Sequence, residues 1–323
     1  MFEELKNCKV LVTGATGLVG QALVRKLLVY GADVIAVVRD LDKAICIFGG
    51  DSPITFLVDD VTELEVKKYD VDYIIHAASN TSSKAFINDP VGVINTALEG
   101  TKRTLEIARL SGVKGYVFPS TMEVYGTPTT DEKIDELHGT NLNTMAPRSA
   151  YPESKRMCES LCASYASQYG VPAKVIRLTQ TFGPGVQYND GRVFAEFARC
   201  AIEGRDIILH TKGETKRNYL YTEDAVDAIL TVLVRGKPGE AYNAANEETY
   251  CSIYEMADLV ARECADGKIK VVIEETDTSS FGYAPTLHMN LDTGKLSDLG
   301  WNPVYGLSEM FMKLCRDMKK KRQ

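Results

Sequence analysis

Residues 8–30 read CKVLVTGATGLVGQALVRKLLVY, and three glycines within them restrict the fold more than any other stretch. Lys9 to Thr13 is a short apolar, β-branched run of buried-strand length. Thr13-Gly14-Ala15-Thr16-Gly17-Leu18-Val19-Gly20 follows directly, and Leu18, Ala22, Leu23, Leu27 and Leu28 then recur at helical spacing. Glycines alone make ordinary turns. A strand before them and a helix after them predict instead the opening of a dinucleotide-binding βαβ unit. Gly14 permits the tight turn, Gly17 lets backbone approach a pyrophosphate, and Gly20 lets helix and strand pack closely. Around the helix start, Thr16, Leu18 and Val19 would present backbone N–H groups and the positive dipole end to the phosphates.

The following segments repeat the alternation. Asp33 to Val38 reads as a second strand ending in Arg39-Asp40. An acid there accepts the adenosine ribose hydroxyls, whereas an arginine accommodates a 2′-phosphate, so NAD and NADP both stay open, with Arg39 suggesting NADP. Ile54 to Val58 is a third strand closing on Asp59-Asp60-Val61, where an acid can bond an adenine amine or begin a turn. Val71 to Ile75 is the fourth, leading into His76-Ala77-Ala78-Ser79. Ala77 and Ala78 are small enough to leave room for a cofactor ribose, and His76 reads as a packed residue. Leu98 to Leu110 is helical, and the strand Gly115 to Pro119 runs into Ser120-Thr121-Met122-Glu123. This βαβαβ order predicts a doubly wound parallel α/β sheet of Rossmann type, with ligands at the carboxyl ends of the strands.

Asp131 to Ala146 is polar and irregular, a loop over the site; Tyr151 to Tyr169 is a long helix and Ala173 to Leu178 another buried strand. Composition changes after Gly183-Pro184-Gly185. The reading is a dinucleotide-binding domain over residues 1–182, with strands around Tyr219 and Tyr242 (about 217–245) returning to it, and a smaller substrate-binding region over 183–323.

A chain of 323 residues, 45% apolar and 25% charged, can bury a substantial core. Its net charge of −7 argues against a nucleic-acid footprint. Eight scattered cysteines without a CxxC pair read as core thiols of a reducing compartment, with no metal site. No apolar run reaches membrane-spanning length and the start is acidic, giving the expectation of a cytoplasmic protein.

Tyr151 and Lys155 stand four apart on one predicted helix and so share a face. A neighbouring ammonium stabilises a phenolate, as would a positive nicotinamide ring, so that the phenol can take a hydroxyl proton. Thr121, at a neighbouring strand end, could hydrogen-bond the developing carbonyl. Downstream of a dinucleotide turn, the catalytic reading of Thr121, Tyr151 and Lys155 outweighs that of an ordinary surface helix.

The motifs TGATGLVG, STMEVYG and YPESK resemble the extended short-chain dehydrogenase/reductases, the NAD-dependent epimerase/dehydratase family that modifies nucleotide sugars. TFGPG (Thr181 to Gly185) and LDTGKLSDLGW (Leu291 to Trp301) carry the resemblance to the end of the chain. It implies a bound NAD, a nucleoside-diphosphate sugar as substrate, and a homodimer packed through the Tyr151 helix. Within the family, Thr121 to Gly126, Pro147 to Tyr151 with Lys155-Arg156, and Asn189 to Val193 resemble the UDP-glucuronate decarboxylases. By that resemblance Glu123 is an acid/base and Arg217 an active-site arginine, and Ser79, Met122, Gln180, Arg192 and Val193 line the substrate. Met122 stands where decarboxylases have a small polar residue and 4,6-dehydratases an Asp. Gln180 replaces a sugar-contacting Asn, and Leu287-His288 an arginine pair near the substrate phosphates.

The implied chemistry is oxidation at C4 of the sugar, which makes a ketone β to a C5 carboxylate that can leave as carbon dioxide. A C4 epimerase or 4,6-dehydratase of the same family is the alternative, and a non-catalytic dinucleotide sensor a remote one. The substrate pocket would be shaped by Asp131 to Ala146 and Phe281 to Asn290.

Overall fold

A computed structural model describes residues 2–50, 52–276 and 286–322. Residues 281–285 of the pocket-shaping segment expected above lie outside them. Strands β1 (Lys9–Thr13), β2 (Asp33–Val38), β3 (Ile54–Val58), β4 (Tyr73–His76) and β5 (Gly115–Thr121) come first in the chain. After a short β6 (Lys133–Ile134) follow β7 (Ala173–Leu178), β8 (Gln180–Phe182), β9 (Ile207–Leu209), β10 (Lys216–Tyr221) and β11 (Ala241–Ala244). The last three are β12 (Asn246–Ser252), β13 (Val271–Ile273) and β14 (His288–Leu291).

Seven of these form one sheet in the order β3-β2-β1-β4-β5-β7-β11, every neighbouring pair parallel. The strand order reverses between β1 and β4, so a crevice opens there at the carboxyl ends. Alternate residues of β1 serve opposite faces, as a pleated strand requires. Val10 and Val12 pack with Leu23, Val24 and Leu27 of α1 (Leu18–Val29), while Leu11 joins the core on the other face.

Helix α2 (Leu41–Phe48) begins at Asp40, whose carboxylate accepts from the Lys43 N–H at 2.9 Å. A short α3 (Ser83–Asn88) precedes α4 (Pro90–Ser111). The second of these starts two turns before the helix read from Leu98, because Asp89 caps the Gly92 N–H and Pro90 presets the first turn. It ends at Gly112 in the left-handed region, φ 64°. Helix α5 (Ala150–Tyr169) lies against α4, and Cys158 and Cys162 enter the core there with Ala97, Leu105 and Ala108.

A smaller region packs α6 (Val193–Glu203), a π-turn over Val260–Cys264 and α10 (Leu307–Arg322) around Phe182, Phe194, Phe197 and Phe311. The Phe182 and Phe194 rings stack at 4.5 Å. Helices α7 (Thr222–Arg235) and α9 (Gly294–Ser297) pack on the large sheet, α7 beside α1 and α9 against β11, while α8 (Ile253–Leu259) belongs to the smaller core through Met256 and Ala257. The strand holding Tyr242 returns to the large sheet beside β7. The strand holding Tyr219 does not: β10 pairs with β8, β12 and β14 in a second sheet. Two tyrosine-bearing strands of similar composition are indistinguishable by pattern, and their partners decide the sheet. All eight cysteines are free thiols. Among the described residues, no helix is long and apolar enough to cross a membrane, and no group of three metal-ligating side chains assembles.

A Cβ on Gly20 would sit 2.1 Å from the Gly14 carbonyl oxygen, so the start of α1 must shift to admit one. Gly20→Ala is expected to destabilise the fold by about 1–3 kcal/mol, read from urea unfolding.

Candidate active site

The crevice is built from backbone. Gly14 follows β1 at φ 68°, and a Cβ there would lie 2.7 Å from the Ala77 carbonyl and the Ala78 nitrogen that follow β4. The Ala78 N–H donates to the Thr13 hydroxyl at 3.1 Å, and that oxygen lies 2.8 Å from His76 Nδ1. Two strand ends are therefore locked edge to edge at the switch point. Helix α1 leaves this turn from Gly17 without a side-chain cap, so the Leu18 and Val19 amides at its first turn remain for an anion. The Leu18 side chain itself turns into the smaller core. Gln21 Nε2 holds the Thr16 carbonyl at 3.0 Å. Val61 is buried against the position of Gly100.

At the outer end of this crevice, Arg39 projects into solvent with its guanidinium 3.8 Å from the Asp60 carboxylate. Asp60 accepts from the Thr62 N–H and hydroxyl, which hold its carboxyl below the usual range despite partial burial. Asp40, the competing acid of the sequence reading, caps α2 with its Oδ1.

Tyr151 and Lys155 leave α5 toward the ends of β4 and β5. Tyr151 is buried and its ring stacks flat on Phe86 of α3 at 4.3 Å. Burial first, then the Glu123 charge, pushes the phenol upward; a hydrogen bond with Thr121 and the charges of Arg148 and Arg192 act the other way. Thr121 closes β5 and its hydroxyl also accepts from the Glu123 N–H at 3.3 Å. Lys155 is 4% exposed, with Nζ donating to the Pro119 carbonyl at 2.9 Å and lying 4.4 Å over the Phe118 ring. Burial brings its ammonium down to about 8. His76, buried with no hydrogen-bond partner for Nε2 among the described residues, falls to about 3, and so stays neutral against the strand as a packed residue.

Glu123 stands in a single 3₁₀ turn, Met122–Tyr125, and its carboxylate takes Arg148 Nη1 at 2.9 Å. Arg148, in turn, lies 5.9 Å over the outer ring of the Phe86–Tyr151 stack. Met122 is buried among Val124, Tyr125, Leu287, Met289 and Leu291, its thioether accepting from the Thr179 hydroxyl. Ser79 and Gln180 are half-buried, Gln180 level with Tyr219 on the neighbouring strand. Arg217 sits beside Met289, with a buried Nε that has no hydrogen-bond partner and no ion pair among the described residues. Arg192 forms a forked pair with Asp190 at 2.5–3.1 Å and precedes Val193, which opens α6. Phe86 and Arg148 were not singled out from sequence. Arg148 carried a signal, standing three residues before Tyr151 in PRSAY; a lone aromatic in SKAFIN carried none.

Residues 10–245 match the model of the NAD dependent epimerase/dehydratase family. The chain belongs to that family. It is an enzyme of this NAD-dependent type. It is 30% identical over 315 residues to the UDP-glucuronic acid decarboxylase 1 of Xenopus tropicalis, covering 95% of this chain and 71% of the relative. To the UDP-glucuronic acid decarboxylase 6 of Arabidopsis thaliana it is 31% identical over 314 residues, covering 94% of this chain and 86% of that protein. In fold it is similar to the crystal structure of UDP-glucose 4-epimerase from Thermotoga maritima with UDP-glucose. There the TM-score is 0.84 at 22% identity, over 98% of this chain and all of that one.

Within this family member the Phe86 ring is what seals the face of Tyr151. Phe86→Ala is expected to let water reach the phenol and lower its titration midpoint by about one unit, read from phenolate absorbance against a Tyr151→Phe background.

Proposed function

We propose that the protein modifies a nucleoside-diphosphate sugar through a transient 4-keto intermediate, and that its reaction is decarboxylation of UDP-glucuronate or a close analogue. The observation that carries the reading is the grouping of Glu123, paired with Arg148, beside a buried Thr121–Tyr151 pair and the Lys155 ammonium. The full-length relatives named UDP-glucuronic acid decarboxylase support the same choice. In this reading residues 183–323 supply most of the substrate pocket, and a homodimer packs through α5, whose exposed face carries Met157 and Tyr169.

The cofactor fits the turn on structural grounds. Only glycine satisfies both the Gly14 φ and its approach to Ala77, and the uncapped α1 start faces the same crevice. Gly14, Thr16, Gly17, Leu18 and Val19 would hold the pyrophosphate, Ala77 and Ala78 the nicotinamide ribose, and Asp60 with Val61 the adenine. Arg39 is the group there able to meet a 2′-phosphate, so NADP remains a second candidate beside the family's NAD. A nicotinamide cofactor held there would supply the acceptor for the hydride that leaves C4, and the hydride returned afterwards.

The chain's own groups then divide the work. Lys155, cationic, stabilises the ionised phenol of Tyr151, which takes the C4 hydroxyl proton, while Thr121 bonds the forming carbonyl. With a ketone at C4, the bond from C5 to its carboxyl breaks and the electron pair passes into an enolate. Glu123 delivers a proton to C5. Arg217, whose buried Nε has no hydrogen-bond partner among the described residues, holds the anionic substrate, with Ser79, Gln180, Arg192 and Val193 around the sugar. Met122 is an apolar neighbour to Glu123, which leaves one acid where a paired-acid dehydratase needs two.

Mass spectrometry of products from UDP-glucuronate, UDP-glucose, UDP-N-acetylglucosamine and their dTDP, GDP and CDP counterparts tests this. Loss of carbon dioxide from UDP-glucuronate is expected. Loss of water from a neutral sugar would replace the reading with a dehydratase, and an unchanged mass with inverted C4 by NMR would replace it with an epimerase. With the substrate found, Tyr151→Phe should lower kcat at least ~10²-fold, the scale of a lost general base, and Glu123→Gln should accumulate the 4-keto sugar. For the cofactor, Arg39→Ala should weaken NADP+ binding about tenfold, roughly one charge-assisted bond, and leave NAD+ unchanged by fluorescence quenching.

A further inference from the structure

Among the described residues Lys155 has one hydrogen-bond partner, a neutral carbonyl, yet the chemistry above needs it charged. The ionisable groups facing it are Cys158, Glu159 and Cys162 of its own helix and His76 of β4, and Tyr151 stands one helical turn before it. Burial pushes the thiols of Cys158 and Cys162 up and the imidazole of His76 down, so none of those three carries charge near neutrality. The phenol is raised as well. Glu159 is what remains.

Its carboxylate lies one helical turn beyond Lys155 and is bonded on two sides. Ser120 Oγ donates to it at 2.5 Å, and Arg177 of β7 grips it with Nε and Nη2 at 2.7–3.2 Å, both partners of this ion pair 14% exposed or less. Ser120 and Arg177 stand level on adjacent parallel strands, so both point at α5 from one row. Ser120 is also the residue after Pro119, whose carbonyl takes the Lys155 ammonium. Arg177 reaches further: Nη1 donates to the Tyr125 hydroxyl at 2.8 Å and to the Glu136 carbonyl at 2.9 Å. Tyr125 ends the turn that carries Glu123, and its hydroxyl donates to Asn243 Oδ1 at 2.6 Å.

We propose that Glu159 is a positioning residue for the active site. It fixes the height of Lys155 against its carbonyl partner, supplies the counter-charge that keeps the ammonium protonated, and through Arg177 ties α5 to the Thr121–Glu123 turn. Removing Glu159 would leave the Arg177 guanidinium without its ion-pair partner and Lys155 without the carboxylate one turn along its own helix. This rests on the catalytic reading of Lys155 for its significance, though not for its test.

The test is NMR of protein labelled at lysine Cε with ¹³C, the Lys155 resonance assigned with Lys155→Met and titrated from pH 6 to 11. Lys174 is an internal control: it is equally buried, also lowered to about 8 by burial, and donates instead to the Leu233 carbonyl. In Glu159→Gln the Lys155 midpoint should fall by about one unit and the Lys174 midpoint should stay. If that variant fails to fold, Glu159→Gln/Arg177→Met removes both charges at similar volume, and the Lys155 midpoint should still fall. Midpoints within about 0.2 unit of the parent in the variant that folds would overturn the proposal and leave Glu159 a purely structural ion pair. Full activity in Lys155→Met would instead sink the catalytic reading while leaving this coupling standing.

Discussion

The approach of Gly20 to the Gly14 carbonyl, and of Gly14 to the Ala77 carbonyl, is the contact on which the rest of the site depends. With no Cβ between them, α1 starts directly on the end of β1, and β1 ends directly against the end of β4. A side chain at either position would push the helix away from the sheet and open the switch point. The Thr13 hydroxyl then bonds the backbone beyond β4, which places the small residues Ala77 and Ala78 at the crevice floor. Everything that approaches the crevice from β5 and α5 is registered against this floor, since β4 is the strand beside β5.

Against that rigid side, the side holding Tyr151 and Lys155 is an electrostatic balance in a dry place. Several ionisable groups gather within one packed layer, and burial forces most of them neutral: His76 down, Cys158, Cys162 and Tyr151 up. Burial works against the Lys155 ammonium too, and a neutral carbonyl with an aromatic face is a modest recompense. Near-neutral titration of Lys155 follows from that contest rather than from any one neighbour. A group titrating close to working pH is responsive: a single counter-charge decides its state. Lys174 meets the same burial at the other end of β7, where it caps the carbonyl end of α7, so a lowered lysine is not in itself a functional mark.

What could be read from sequence were features carried by short windows. The strand–glycine–helix order, the four-residue spacing of Tyr151 and Lys155, and the parallel alternation through β7 each depend on local spacing, and each is found in the fold. The α4 start was hidden because its first turns lack apolar periodicity, and only the Asp89 cap and Pro90 mark it. The place of the Tyr219 strand was hidden for a different reason. A strand's sequence states that it pairs, and the partner is chosen by packing over long separations. The same holds for the site. Asp40 reads as a competing ribose ligand because two uses of an aspartate after a strand share one pattern, and in the fold one of its carboxylate oxygens caps α2.

The least legible part of the site is also its connecting part. Ser120, Tyr125, Glu159, Arg177 and Asn243 come from five elements, and of these only Ser120 and Tyr125 share a motif, STMEVYG. Each, taken alone, has the ordinary reading of a polar residue on the edge of a core. Their chemistry exists only once β5, β7 and β11 lie side by side and α5 covers them. Buried polar groups of this kind must be bonded completely or they destabilise the fold, so the network constrains all five elements together. A sheet fixed by backbone contacts at one end of the crevice therefore meets a helix fixed by a buried ion pair at the other. The distance between the Gly14–Gly17 turn and Tyr151 is set by both.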